Sequence, residues 1–176
     1  MEVKEIFSDV KHVIPKKHFD DRGFFTENFN YNELKEAGID FKSVQDNLSF
    51  SKLKGTIRGL HFQKSPYEQA KIIYVLTGEI FDVFVDIRPD SETFGSYFSV
   101  KLTNTNGFLY IPKGFAHGFC TLVDNTNVLY KVDNYYNKNT ESGIIWNDEK
   151  LNIDWPIDNK FIHLSEKDKN LKQFEI

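Results

Sequence analysis

The stretch Gly55-Thr56-Ile57-Arg58-Gly59-Leu60-His61-Phe62-Gln63 sets an arginine, a histidine and a glutamine among apolar residues. After a loop marked by Pro66, Lys71 opens the apolar run Ile72-Ile73-Tyr74-Val75-Leu76. An imidazole and an ammonium at the ends of two successive strands suit proton abstraction beside a carbonyl. The imidazole is a base that works near neutral pH, and the ammonium is a fixed cation for the enolate that develops. Tyr130, on the run Val128-Leu129-Tyr130-Lys131-Val132, would complete the set as a proton donor, and Asp168 as the carboxylate that orients His61. Each residue also has an ordinary structural role: a core histidine bonded to backbone, a core tyrosine, an acid at position N3 of a helix.

The elements that must hold these groups read mostly as strands. With side chains alternating between faces, Ile57, Gly59, His61 and Gln63 share one side of their strand, and Arg58, Leu60 and Phe62 the other. Residues 1–29 read as two strands joined by the turn Asp20-Asp21-Arg22-Gly23. Asn30 caps a helix, with Glu33 at N3 and a stop at Gly38. Phe41–Asn47 reads as a strand. From Ser49 onward, alternating segments recur about every ten residues, with turns at Thr77-Gly78-Glu79, Asn104-Thr105-Asn106-Gly107 and Asp124-Asn125. Leu151, Ile153 and Trp155 form a further alternating segment, and Ser165-Glu166-Lys167-Asp168 opens a short helix. This pattern predicts an all-β sandwich or barrel, with 17 Phe and 8 Tyr to fill its core.

At 176 residues the chain is long enough for one domain, 1–176, with a full core. Net charge is −4 with both signs interspersed, so no basic stripe invites nucleic acid. No segment has the roughly 20 apolar residues of a membrane span, and the acidic N-terminus argues against a signal peptide. The single cysteine, Cys120, forbids an internal disulfide and suits a reducing cytoplasm. Only three of 22 cations are arginines, Arg22, Arg58 and Arg88, which points to sites that need a planar fork.

Other polar clusters allow two readings each. Arg22 with Glu27, and Gln45-Asp46-Asn47, suit a phosphate and a base or sugar edge, or they are turn and edge chemistry. Asp82 and Asp86 either point into the barrel or pair with surface lysines. Pro112-Lys113-Gly114-Phe115-Ala116-His117 resembles the second metal-binding motif of cupins. A set of His61, Glu68 and His117 would give a metal-dependent cupin, although Gln63 stands where a second histidine is usual. A cupin that binds sugar without turnover is the remaining alternative.

Taken together, these segments resemble the dTDP-4-dehydrorhamnose 3,5-epimerase family. The likeness runs in order from Asp20-Asp21-Arg22-Gly23-Phe24-Phe25-Thr26-Glu27, through Gln45-Asp46-Asn47-Leu48-Ser49, Ile57 to Gln63, Gln69-Ala70-Lys71 and Ile111 to Phe119, to Tyr130-Lys131, Glu141-Ser142-Gly143 and Ser165-Glu166-Lys167-Asp168. The resemblance implies a metal-free, cofactor-free cupin-like double-stranded β-helix (jelly roll) with short peripheral helices. It also implies a homodimer with exchanged N-terminal strands. His61 would be the base, Asp168 its orienting carboxylate, Tyr130 the acid and Lys71 the enolate-stabilising cation. Arg22, Glu27, Gln45, Asp46, Asn47, Arg58, Gln63, His117, Glu141 and Lys167 would bind a dTDP-4-keto-6-deoxyhexose, with His18 or Phe19 beside the base. The implied reaction inverts C3 and C5, as in dTDP-L-rhamnose or related deoxysugar biosynthesis. Relatives of this fold that invert one centre share the same catalytic set.

Overall fold

Alternating apolar side chains build two antiparallel sheets that enclose a shared core. The structure is a computed structural model that describes residues 1–175. One sheet has six strands in the order β1 (Glu2–Phe7), β2 (Val10–Ile14), β10 (Phe108–Ile111), β7 (Lys71–Thr77), β12 (Thr126–Val132), β5 (Gln45–Ser51). The other has five, in the order β13 (Glu141–Gly143), β6 (Ile57–Gln63), β11 (Phe115–Thr121), β8 (Glu79–Asp86), β9 (Tyr97–Thr103). Ile73, Phe84, Phe115, Phe119 and Val128 fill the space between them. This is the all-β sandwich expected from the strand spacing, in the jelly-roll layout that the resemblance implies.

Both outer faces are covered. Helix α1 (Tyr31–Glu36) lays Leu34, with Ile39 and Phe41 after it, over Val13, Ile72 and Phe108 of the six-stranded sheet. The Asn30 side chain accepts the N–H groups of Asn32 and Glu33, as the capping pattern requires. Trp155, Leu151 and Phe174 cover Leu60, Val83 and Val85 of the five-stranded sheet. Burying each large apolar side chain contributes about 1.5–3 kcal/mol.

Three sequence expectations need correction. Residues 1–29 hold four strands, because Ser8 and Asp9 adopt positive φ (39° and 74°) and turn the chain between β1 and β2. A separate hairpin, β3 (Lys17–Asp20) and β4 (Gly23–Thr26), pairs with neither main sheet. The strand expected from Phe41 begins only at Gln45 and runs to Ser51, since Phe41 is buried against Phe29 and Tyr110. Leu151, Ile153 and Trp155 form no strand. Asp148 takes the N–H groups of Lys150, Leu151 and Phe174, so this backbone folds into a cover over the sheet.

Asp82 and Asp86 are both fully buried, the interior one of their two readings, and Arg88 uses its planar fork on Asp86. Asp86 accepts hydroxyls of Ser91 and Thr93, each at 2.6 Å, and the Arg88 guanidinium at 2.6 and 2.9 Å. Arg88 reaches on to Asp9 and Ser8, tying the β1–β2 turn to β8. Burial pushes the Asp86 carboxyl up, but its ring of donors outweighs this and holds it well below the usual carboxylate range. Arg88 is thus part of a structural clasp, and neither Asp82 nor Asp86 pairs with a surface lysine.

The alternation expected along β6 also fails. His61 pairs with His117 on β11, but Arg58 pairs with Phe119, so three steps on β6 oppose two on β11. This register shift rotates the strand between Arg58 and His61. Ile57, Leu60 and Phe62 face the outer cluster, while Arg58, His61 and Gln63 all turn inward. Gly59 permits the close approach: it has φ +119°, and a Cβ there would sit 2.6 Å from Gly118 Cα.

Candidate active site

A cavity of about 330 Å³ opens between the sheets and gathers most of the chemistry-bearing residues. The five-stranded sheet supplies Arg58, His61 and Gln63 from β6, His117 from β11 and Glu141 from β13. The six-stranded sheet supplies Ser49 from β5, Lys71 from β7 and Tyr130 from β12. Consecutive in sequence, β6 and β7 therefore lie in opposite sheets, and His61 and Lys71 meet across the space between them. Lys167 and Asp168 enter from helix α2 (Glu166–Lys169).

The His61–Asp168 pair resolves the two readings of Asp168. Its backbone N–H donates to the Ser165 cap, but its carboxylate turns away from the helix to His61 Nε2, 2.6 Å away. Burial raises the Asp168 carboxyl, and the His61 hydrogen bond and charge outweigh that effect to hold it below its ordinary range. An ionised carboxylate here fixes the imidazole ring and leaves Nδ1 as the second nitrogen for chemistry.

A second pair lies beside the first. His117 Nε2 stands 2.9 and 3.0 Å from the two oxygens of Asp82, which is fully buried. Burial pushes the His117 imidazole down; Asp82 opposes this, while Lys71 and His61 add to it. Lys71 donates to the His61 carbonyl oxygen at 3.2 Å. Burial pushes its ammonium down to about 8 against the pull of Asp82 and Glu141, so Lys71 is a cation below that pH and loses its charge above it. Tyr130, on the opposing sheet from His61, is pushed up by burial, with Arg58 working the other way, and is a neutral phenol at pH 7.

The remaining predicted residues divide into two groups. Arg58 donates to Ser51 Oγ at 3.1 Å and the Phe50 carbonyl at 2.9 Å, which fixes its fork in the cavity wall. Gln63 accepts from Thr140. Glu141 accepts from Lys167 and from the Tyr136 hydroxyl at 2.9 Å. Gln45 and Asn47 are hydrogen-bonded to each other at 2.8 Å on the same face of β5 as Ser49. Asp46 points to the other face, where Lys131 takes it at 2.7 Å. Arg22 and Glu27 lie outside the cavity. Arg22, on the β3–β4 turn, is 90% exposed and held by Asp20, and Glu27 accepts from Asn30. Phe19, 75% exposed, and His18 lie on the same hairpin.

Glu68 lines a different cleft, so the metal set His61, Glu68 and His117 is not assembled. Among the described residues, no three His, Cys, Asp or Glu side chains are placed to hold an ion. Tyr136 and Ser49 line the cavity, and Asp82 stands behind it as the partner of His117; none of them was given a place in the site from sequence. Tyr136 sits in a loop without periodicity. Ser49 follows Gln45 and Asn47 at two-residue spacing, a signal that was available in the strand pattern.

A family profile described as dTDP-4-dehydrorhamnose 3,5-epimerase matches residues 4–175. A dTDP-4-dehydrorhamnose 3,5-epimerase from Shigella flexneri is 47% identical over 98% of this chain and 94% of its own length. A crystal structure of the Bacillus anthracis dTDP-4-dehydrorhamnose 3,5-epimerase with TDP and PPi bound superposes with TM-score 0.93 at 48% identity, covering 98% of this chain and all of that one. The Legionella pneumophila dTDP-6-deoxy-D-glucose-3,5-epimerase, in complex with dTDP-4-keto-L-rhamnose, gives TM-score 0.91 at 43% identity, covering 98% and 92%.

Proposed function

Because this chain belongs to the dTDP-4-dehydrorhamnose 3,5-epimerase family, we propose that its cavity inverts C3 and C5 of a dTDP-4-keto-6-deoxyhexose with His61 as base and Tyr130 as acid. The enzyme is an isomerase with a cupin-like fold. The observation that carries the assignment of roles is the placement of His61, already paired with Asp168, and Tyr130 on opposing sheets of one cavity.

The chemistry follows from charge. The 4-keto group acidifies the hydrogens on C3 and C5. His61 removes one of them, and the electron pair delocalises onto O4 as an enolate. The Lys71 ammonium stabilises that oxygen in a water-poor pocket, where a fixed cation acts most strongly. Tyr130 then returns a proton to the same carbon from the other face, and solvent resets both groups. Arg58, Lys167 and His117 hold the diphosphate and sugar, and Glu141 positions Lys167. Turnover in deuterated water places deuterium at both C3 and C5 of the product, read by NMR. Product free of deuterium at both carbons removes the enolate scheme.

The protein acts as one cytoplasmic domain and as a homodimer. Hairpin β3–β4 carries Phe19, Phe24 and Phe25 exposed (Phe25 at 68%), and edge strand β5 exposes Leu48 and Phe50 beside it in the chain order. A partner that covers these rings would receive Arg22 and Glu27 at its own cavity, which explains why both lie outside this one. Sedimentation at micromolar concentration should give twice the 20.6 kDa chain mass. A 20.6 kDa particle would rule the exchange out.

A further inference from the structure

Among the described residues, one buried side-chain nitrogen or oxygen lacks a hydrogen-bond partner, and it lies in the wall of the cavity: Ser49 Oγ. A buried hydroxyl without a partner is costly, and proteins seldom keep one without a use. Its surroundings indicate the use. On β5, Ser49 lies opposite Val128, two pairs along from Asn47 opposite Tyr130 and on the same face of the strand. In the other direction, Ser51 holds Nε of Arg58. The hydroxyl thus sits between the phenol that faces the sugar and the guanidinium that faces the diphosphate.

Resting on the reading above, we propose that Ser49 is a positioning residue that donates its hydroxyl to an oxygen of the sugar-side phosphate. Arg58 turns two donors to the protein, at Ser51 and the Phe50 carbonyl, and its remaining N–H groups serve the same phosphate. A hydroxyl beside a guanidinium finds its best acceptor in the anion that the guanidinium attracts. This contact sets how far the hexose reaches toward His61 and Tyr130. The phosphate nearest the nucleoside lies beyond its range.

Titration calorimetry with dTDP and dTMP, on wild type and Ser49→Ala, tests the assignment. dTDP carries the sugar-side phosphate and dTMP does not. Ser49→Ala should bind dTDP about 10- to 100-fold more weakly, the scale of a hydrogen bond to a charged group. dTMP affinity should change less than about threefold. The ligand-free melting temperature should not fall, because the variant loses an unpartnered polar group. Unchanged dTDP affinity, equal loss for both nucleotides, or a lower melting temperature without ligand would each overturn the proposal. Such results in Ser49→Ala leave the epimerase reading intact if wild type still exchanges deuterium; a wild type that binds neither nucleotide removes both.

Discussion

Replacing His61 with Gln should lower epimerase turnover by about a hundredfold to ten-thousandfold, the range for loss of a general base. That corresponds to about 3–5 kcal/mol of transition-state stabilisation. Gln is chosen because its amide reaches the position of His61 Nε2 and can still donate to Asp168, whose side chain is only 5% exposed and would otherwise be left with a buried charge and no partner. The Lys71 contact is made to the backbone carbonyl of residue 61 and survives the change. The fold and the cation are therefore retained, and melting temperature should stay within a few degrees of wild type. Both product formation and solvent deuterium exchange should fall together, since without the base no enolate forms. Turnover within tenfold of wild type would assign proton abstraction to another group.

Tyr130→Phe should separate these two readouts. The variant loses one hydroxyl from a half-buried ring on the six-stranded sheet and leaves the His61–Asp168 pair untouched on the other side of the cavity. His61 can still remove a proton and return one to the same face, so deuterium continues to enter the substrate with retained configuration. Inverted product should fall by at least about a hundredfold. Quenched-flow samples in deuterated water, resolved by NMR, report exchange and inversion in the same run. Equal loss of exchange and inversion would instead make Tyr130 a binding residue, and wild-type inversion would remove it from the reaction.

Local rules made much of the scaffold legible. Asn30 and Ser165 cap the helices that their spacing announced, and the strand pattern located β6 to β12 but not β13. What escaped depends on partners distant in sequence. The inward turn of Arg58 arises from a register shift against Gly118 on β11; Gly59 permits it, but the partner that requires it lies outside residues 57–63. Asp82 looked equally ready for a lysine or the interior until β8 and β11 set it against His117. Ser8 and Asp9 carry no glycine, so the turn between β1 and β2 left little trace in composition. Arg22 and Glu27, readable from sequence either as a recognition pair or as turn and edge chemistry, stand on and just after a hairpin outside this chain's cavity.

The Asp168 carboxylate that bonds the His61 imidazole arrives 107 residues after it. On the ribosome, β6 emerges long before α2 is synthesised, and the segment carrying Trp155, which covers the outer sheet, lies between them in the chain. A nascent chain therefore carries its imidazole without a fixed ring orientation through most of translation. The contact between Asp168 and His61 can therefore form only once nearly the whole chain has been made.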